Sequence, residues 1–334
     1  MTEANRRVLV RAYPDDLPGP DHFAIETAPV PVPADGQALV RTVWLGMDPF
    51  PRLQLTDRPG GPPPIPLGSV MIGRGVARVV ESRRPDLTAG DWIVCDPGWQ
   101  DYALYTAAET PRKLDPDAAP VSAALGLLGP SGLTAYFTLT AKAGVTAWET
   151  VVVTAAAGSV GSAACQIART LGARVVGIAG GAEQIAFLRD RLHVDAAIDW
   201  QAEPDLAAAL RAACPDGVHA ALDTVGGATH DAIMANIAVG GRVVMAGFIS
   251  GYGERKPYGN PHAVIFRRAT LMGFLLADHM ADAPAALDRL AGWHRAGSLD
   301  LFENVTMGLE NAPAAFAGLF RSAAPGKQLV RVEP

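Results

Sequence analysis

Val151-Val152-Val153-Thr154-Ala155-Ala156-Ala157-Gly158-Ser159-Val160-Gly161 joins a short apolar run to a helical pattern through small residues. Three consecutive valines read as a buried strand. A helix is predicted over 159–171. Small side chains between the two let backbone N–H groups come close to a pyrophosphate, and the helix N-terminus adds a favourable dipole. Gly161 lets the helix lie close on the strand. A short glycine pattern taken alone is weak evidence, because many tight turns share it. This one follows a strand, precedes a helix and heads a series of such units, which points to a dinucleotide. Ala157, Gly158, Ser159, Val160 and Gly161 are the candidate cofactor contacts here.

The alternation continues beyond the turn. Residues 175–178, 196–198, 220–222, 242–245 and 271–274 read as apolar strands. Helices are predicted between them at about 182–192, 203–214 and 229–237. Near-continuous apolar strands alternating with amphipathic helices imply a parallel sheet covered on both faces. Six strands match a doubly wound, Rossmann-type sheet. Ahead of it, 121–143 reads as helix broken at Gly129-Pro130.

Residues 1–120 have a different texture. β-branched runs at 38–43, 76–80 and 92–94 are separated by turn residues, as in an antiparallel, barrel-like region. Pro59-Gly60-Gly61-Pro62-Pro63-Pro64 reads as a loop bordering a site. After 277 come a helix (283–295), a strand (304–306), a helix (312–320) and a strand (328–332). The expected fold is α/β. A barrel-like, mainly β catalytic domain at 1–123 and 277–334 flanks a Rossmann dinucleotide-binding domain at 124–276.

Composition narrows the function. At roughly 150 residues per domain, 334 residues suggest two domains. Hydrophobic residues make up 49%, enough for substantial cores. The net charge of −6 argues against a nucleic-acid partner, which needs a basic surface. No charge-free run of 18 apolar residues suggests a membrane span, and no apolar leader follows Met1. Cys95, Cys165 and Cys214 are far apart. They make neither a disulfide framework nor a metal site, and read as reduced thiols of a cytoplasmic protein.

The second strand of the sheet runs into Gly180-Gly181. NAD enzymes commonly place an acid here for the adenosine ribose. Neither residue carries one, which leaves room for a 2′-phosphate. Glu183 reads as a first-turn acid of the next helix.

With these residues in view, the chain resembles the zinc-independent medium-chain dehydrogenase/reductases. It is most similar to their prostaglandin reductase (leukotriene B4 dehydrogenase)/2-alkenal double-bond reductase group. The resemblance runs nearly end to end. It is carried by Gly46-Met47-Asp48-Pro49-Phe50-Pro51-Arg52, Gly132-Leu133-Thr134-Ala135-Tyr136-Phe137, the glycine turn, Asp223-Thr224-Val225-Gly226-Gly227, Gly247-Phe248-Ile249-Ser250-Gly251-Tyr252, Asn311-Ala312-Pro313-Ala314-Ala315-Phe316 and Gly326-Lys327. It implies NADPH-dependent reduction of the C=C bond of an α,β-unsaturated aldehyde or ketone, in a cleft between the two domains. It also implies a nicotinamide held by backbone near Phe274 to Leu276, and a homodimer paired through the last sheet strand. Zinc-dependent relatives carry Gly-His-Glu where this chain has Gly73-Arg74-Gly75, so no metal is expected.

Several positions depart from the family. Gln184 stands where a phosphate-binding Lys is usual, Trp200 in place of a Tyr and Ala324 in place of an Asn. Each loss removes a hydrogen bond to the 2′-phosphate, so NADPH is expected with NADH possible. Arg174 and Arg189 are the candidates to compensate. Phe50 replaces a substrate-cleft Tyr.

Tyr252 is the candidate catalytic residue, as hydrogen-bond donor or proton source for the developing enolate. The family position argues for this role, and texture alone would read it as packing on a loop. Asp48 reads as a turn residue before Pro49. The alternative functions are an NADPH quinone reductase and a non-catalytic NADPH-binding sensor.

Overall fold

The computed structural model describes residues 4–56, 62–106, 111–251, 261–321 and 324–332. Its strands, in chain order, are β1 (Ala4–Val10), β2 (Phe23–Pro29), β3 (Ala38–Gly46), β4 (Gly75–Ser82), β5 (Trp92–Cys95), β6 (Tyr102–Tyr105), β7 (Arg112–Leu114), β8 (Thr150–Val153), β9 (Arg174–Ala179), β10 (Ala196–Asp199), β11 (Val218–Asp223), β12 (Ile237–Met245), β13 (Thr270–Gly273), β14 (Glu303–Met307) and β15 (Lys327–Arg331). The α-helices are α1 (Pro130–Phe137), α2 (Ser159–Thr170), α3 (Ala182–Asp190), α4 (Leu206–Ala213), α5 (Gly227–Ala235), α6 (Pro261–Arg267), α7 (Ala283–Arg295) and α8 (Ala312–Gly318).

The chain divides into two units. One comprises Met1–Leu125, Glu303–Ala323 and Lys327–Pro334; the other comprises Gly126–Phe302 and Ala324–Gly326. Residues 277–302 thus group with the second unit, whereas the sequence reading gave them to the first. The physical reason is side-chain contact. Trp293 of α7 meets Tyr136 of α1, Phe302 meets Phe187 edge-on, and Gln166 of α2 exchanges hydrogen bonds with the Asp300 backbone.

In the second unit the strands run in the order β10-β9-β8-β11-β12-β13, all parallel. That is the doubly wound order expected of a dinucleotide-binding sheet. Val151, Val152, Val153, Val175 and Val176 are fully buried, as a sheet covered on both faces requires. Asp205 caps α4, its carboxylate accepting from the Ala208 N–H at 2.9 Å. Two details differ from the sequence reading. β12 starts at Ile237, where the preceding helix was expected to end, because Ile237 already pairs with Val218 of β11; the register then shifts around Gly240, at φ +76°, before Arg242 pairs with Ala220. α6 had no strong apolar periodicity and was not foreseen.

The first unit pairs its strands in the order β14-β15-β3-β4-β5-β7, with β6 also on β3 and β1 paired to β2. Pairing is antiparallel except between β14 and β15. Its core gathers Val8, Val10, Leu45, Met71 and Val330 around Trp99, whose ring lies 5.4 Å from Phe23 and 5.6 Å from Phe316. The Gly73-Arg74-Gly75 segment has a packing explanation. A Cβ at Gly73 would lie 2.6 Å from the Trp99 Nε1, and one at Gly75 would lie 2.7 Å from the Trp44 carbonyl. Arg74 pairs with Asp96 at 2.9 Å. The three cysteines are free and buried; burial pushes Cys95 and Cys165 up to about 12 and Cys214 to about 11. Among the described residues, no helix is long and apolar enough to cross a membrane.

Trp99→Ala should leave a cavity that its aromatic neighbours cannot close. The expected cost is about 3–5 kcal/mol, read as a lower urea midpoint at a largely unchanged slope.

Candidate functional site

Because the six strands are parallel, every segment that leaves a strand lies at the same edge of the sheet. The turn after β8 is tight. Ala155 sits in the left-handed region at φ +45°, and the Gly158 N–H bonds its carbonyl at 2.9 Å. α2 then lies so close that a Cβ on Gly161 would stand 2.2 Å from the Ala155 carbonyl oxygen. No side chain caps the helix at Gly158. Its first hydrogen bond is Ser162 N–H to the Gly158 carbonyl at 2.8 Å, so the N–H groups of Ser159, Val160 and Gly161 have no acceptor within the helix. Those donors, the helix dipole and the absence of side-chain bulk fit a pyrophosphate. The Ser159 hydroxyl bonds that of Ser131 at 2.7 Å. Gly326, at φ +91°, donates its N–H to the Ala157 carbonyl at 2.8 Å and braces the turn from the far end of the sequence.

Gly180 and Gly181 follow β9. A Cβ on Gly180 would stand 2.6 Å from the Trp200 Nε1 and 3.0 Å from the Gln201 Nε2, so the glycine makes room for both side chains. The Gln184 side-chain oxygen accepts from the Gly180 N–H at 3.3 Å. The Gly181 N–H donates to Asp199 Oδ1 at 3.0 Å. Glu183 lies in the first turn of α3, as expected. Arg174 lies away from this corner. Arg174 opens β9, roughly 20 Å of strand away, where it bonds the Ala213 carbonyl and faces Asp195 at 3.8 Å. Arg189 lies in the last turn of α3.

The segments after β11 and β12 form one network. Asp223 is fully buried. Its Oδ1 accepts from the Val225 N–H, the Gly226 N–H and the Thr154 hydroxyl, and its Oδ2 lies 3.0 Å from the His230 Nδ1. Burial opposes its charge, but the His230 bond and the Gly226 and Val225 N–H groups outweigh that, and its pKa lies below the usual carboxylate value. The loop built on Asp223 in turn holds the next one. Ile249 N–H bonds the Thr224 carbonyl at 3.2 Å, and both the N–H and the hydroxyl of Ser250 bond the Val225 carbonyl. Tyr252, two residues beyond Ser250, lies outside the described residues.

Phe274 follows β13, with its N–H on the Met245 carbonyl at 3.0 Å, and Leu276 begins a 3₁₀ segment. In the first unit, Phe50 opens a 3₁₀ turn and is 54% exposed. Beside it, Asp48 accepts from the buried Lys327, whose ammonium also reaches the Met47 carbonyl at 3.2 Å. That ion pair agrees with reading Asp48 as structural.

The sequence reading missed Asp199, Gln201, Asp223 and His230. Asp223 was quoted only as part of a motif, and Asp199 ends a strand that was not searched for an acid. Gly161→Ala should push α2 off the end of β8. Isothermal titration is expected to show at least tenfold weaker NADPH binding by the folded variant.

A family model described as the N-terminal domain of oxidoreductase matches residues 6–112, and one described as zinc-binding dehydrogenase matches 159–292. Among the described residues, no three His, Cys, Asp or Glu side chains gather where they could hold a metal ion. The NADPH-dependent curcumin reductase of Escherichia coli (strain K12) is 36% identical over 99% of this chain and 97% of its own length. The 2-alkenal reductase (NADP(+)-dependent) of Nicotiana tabacum is 33% identical over 98% of both chains. Among solved structures, that of CurA in complex with NADPH from Vibrio vulnificus aligns at a TM-score of 0.92 and 32% identity, over 98% of this chain and 99% of that one. With likeness running the length of both units, the chain belongs to the zinc-independent medium-chain dehydrogenase/reductases, in the prostaglandin reductase and 2-alkenal reductase group, and is an NADP-dependent oxidoreductase.

Proposed function

We propose that this protein reduces the C=C bond of α,β-unsaturated aldehydes and ketones. The observation that carries the reading is the glycine cradle at Gly158–Gly161, on a chain alike from end to end to a 2-alkenal reductase and a curcumin reductase. NADPH, when bound, supplies the hydride for the β-carbon. The chain must hold the dinucleotide, orient the acceptor and stabilise the charge that builds on the carbonyl oxygen.

Each task has a candidate. The N–H groups of Ser159, Val160 and Gly161, beside Ala157 and Gly158, hold the pyrophosphate. Gly180, Gly181, Gln184 and Trp200 border the adenosine end. Backbone at Phe274 and Leu276 holds the nicotinamide amide. Phe50 offers an apolar face to the acceptor. Tyr252 donates a hydrogen bond or a proton to the enolate, at the end of a segment anchored through Ser250 to the Asp223 loop.

We further propose a homodimer paired through β13, in the cytoplasm, where the three buried thiols stay reduced. β13 stands at one end of the described sheet. Leu271 on it, Ile265 and Phe266 on α6, and Leu275 and Met280 beyond it are all exposed. A sheet edge with apolar neighbours favours pairing with a second copy.

NADPH oxidation should be followed with a 2-alkenal, with a quinone and with no acceptor. Turnover with the alkenal supports the reading, and turnover with the quinone alone overturns it. Tyr252→Phe should lower kcat for the alkenal about tenfold or more while leaving NADPH affinity unchanged; an unchanged kcat would return Tyr252 to a packing role. Leu271→Lys should shift the molar mass measured by light scattering from dimer to monomer.

A further inference from the structure

Two serines meet beside the glycine turn. Ser131 lies in the first turn of α1 and Ser159 in the first turn of α2, and their hydroxyl oxygens stand 2.7 Å apart. Both helices start without slack. A Cβ on Gly132 would collide with the Leu127 carbonyl, as one on Gly161 would with that of Ala155. Ser131 is 3% exposed, whereas Ser159 is only half-buried. The contact is therefore a fixed bond between two helix starts.

Two hydroxyls carry two protons, and the bond between them uses one. Among the described residues, neither hydroxyl has a further polar partner. Buried polar groups rarely leave a donor idle. A hydroxyl rotor turns to suit its surroundings, and the buried Ser131 has only Ser159 to donate to. With Ser131 donating, the Ser159 proton is released to point outward. It does so on a residue whose N–H also lacks an acceptor within α2. Ser159 then offers an N–H and an O–H to the same anion. Hydrogen bonds to an ionised acceptor are shorter and stronger than neutral ones. A hydroxyl that accepts one bond also donates a stronger one.

We propose that Ser159 donates its hydroxyl to the pyrophosphate of the dinucleotide, and that Ser131 positions it by donating to the Ser159 oxygen. Ser159 is thus a binding residue through its side chain as well as its backbone, and Ser131 is a positioning residue that acts through it. The relay serves the phosphates that join the two halves of the cofactor and does not involve the 2′-phosphate. It rests on the reading of the Gly158–Gly161 turn as the pyrophosphate cradle.

Isothermal titration of the full chain with NADPH and with 2′-AMP tests the relay, because 2′-AMP has the adenosine and the 2′-phosphate but no pyrophosphate. Ser159→Ala keeps the backbone donors and should weaken NADPH binding about tenfold. Ser131→Ala should weaken it about threefold, through the loss of one cooperative bond. Binding of 2′-AMP should hardly change in either variant. In steady-state assays the loss should fall on KM for NADPH rather than on kcat. The double variant should bind NADPH no more weakly than Ser159→Ala alone, since Ser131 acts only through the Ser159 oxygen. Lower melting temperatures with unchanged NADPH affinity would make the pair a tie between helices and overturn the proposal. So would an equal loss of 2′-AMP affinity, or full additivity in the double variant. Failure of the wild type to bind NADPH overturns the cradle reading itself, and the relay with it.

Discussion

The site at the edge of the parallel sheet depends on how closely α2 lies on the end of β8. A methyl group at residue 161 would stand 2.2 Å from the Ala155 carbonyl, so glycine is required there and the helix starts directly against the strand. Ala155 accepts a left-handed backbone to make this possible. The gain is a short turn that leaves the N–H groups of Ser159, Val160 and Gly161 without acceptors within the helix. Gly326, almost at the end of the chain, bonds this turn through the Ala157 carbonyl. The turn is therefore braced by residues some 170 positions apart in sequence, counting from Ala157 to Gly326.

A second buried constraint organises the loops beyond β11 and β12. Asp223 gives up hydration entirely, and only a full set of donors keeps it charged there. Thr154, Val225, Gly226 and His230 supply them. The folded-state pKa is depressed. The stability this contributes is therefore present above the unfolded carboxylate value and is lost as pH falls through the folded one. The loop so fixed then receives three hydrogen bonds from Ile249 and Ser250. The polar interior of the sheet edge thus carries the segment leading to Tyr252.

The corner after β9 and β10 follows another logic. The turn at Gly158–Gly161 is built from backbone. After β9 and β10, Trp200 and Gln201 crowd Gly180, and Asp199 accepts from the Gly181 N–H. Its carboxylate is fixed there by two backbone donors, the Gly181 and Gln201 N–H groups.

Much of this protein could be read from its residues in order. Three valines, a run of small residues and the positions of Gly158 and Gly161 specify strand, turn and helix locally, because each choice rests on neighbours within a few residues. Alternating apolar runs made the parallel sheet legible for the same reason. Other features depended on pairing between distant segments. β12 begins at Ile237 because Val218 of β11 pairs with it there, and α7 joins the second unit because Trp293 meets Tyr136. Asp199 looked like an ordinary strand end until β10 lay beside β9. The sequence determined the strand, the turn and the helix around Gly158 and Gly161, since these are properties of one contiguous segment. Only the tertiary structure decided that Asp199 meets the Gly180-Gly181 turn, since a carboxylate acts through its distance to groups that the chain brings near only by folding.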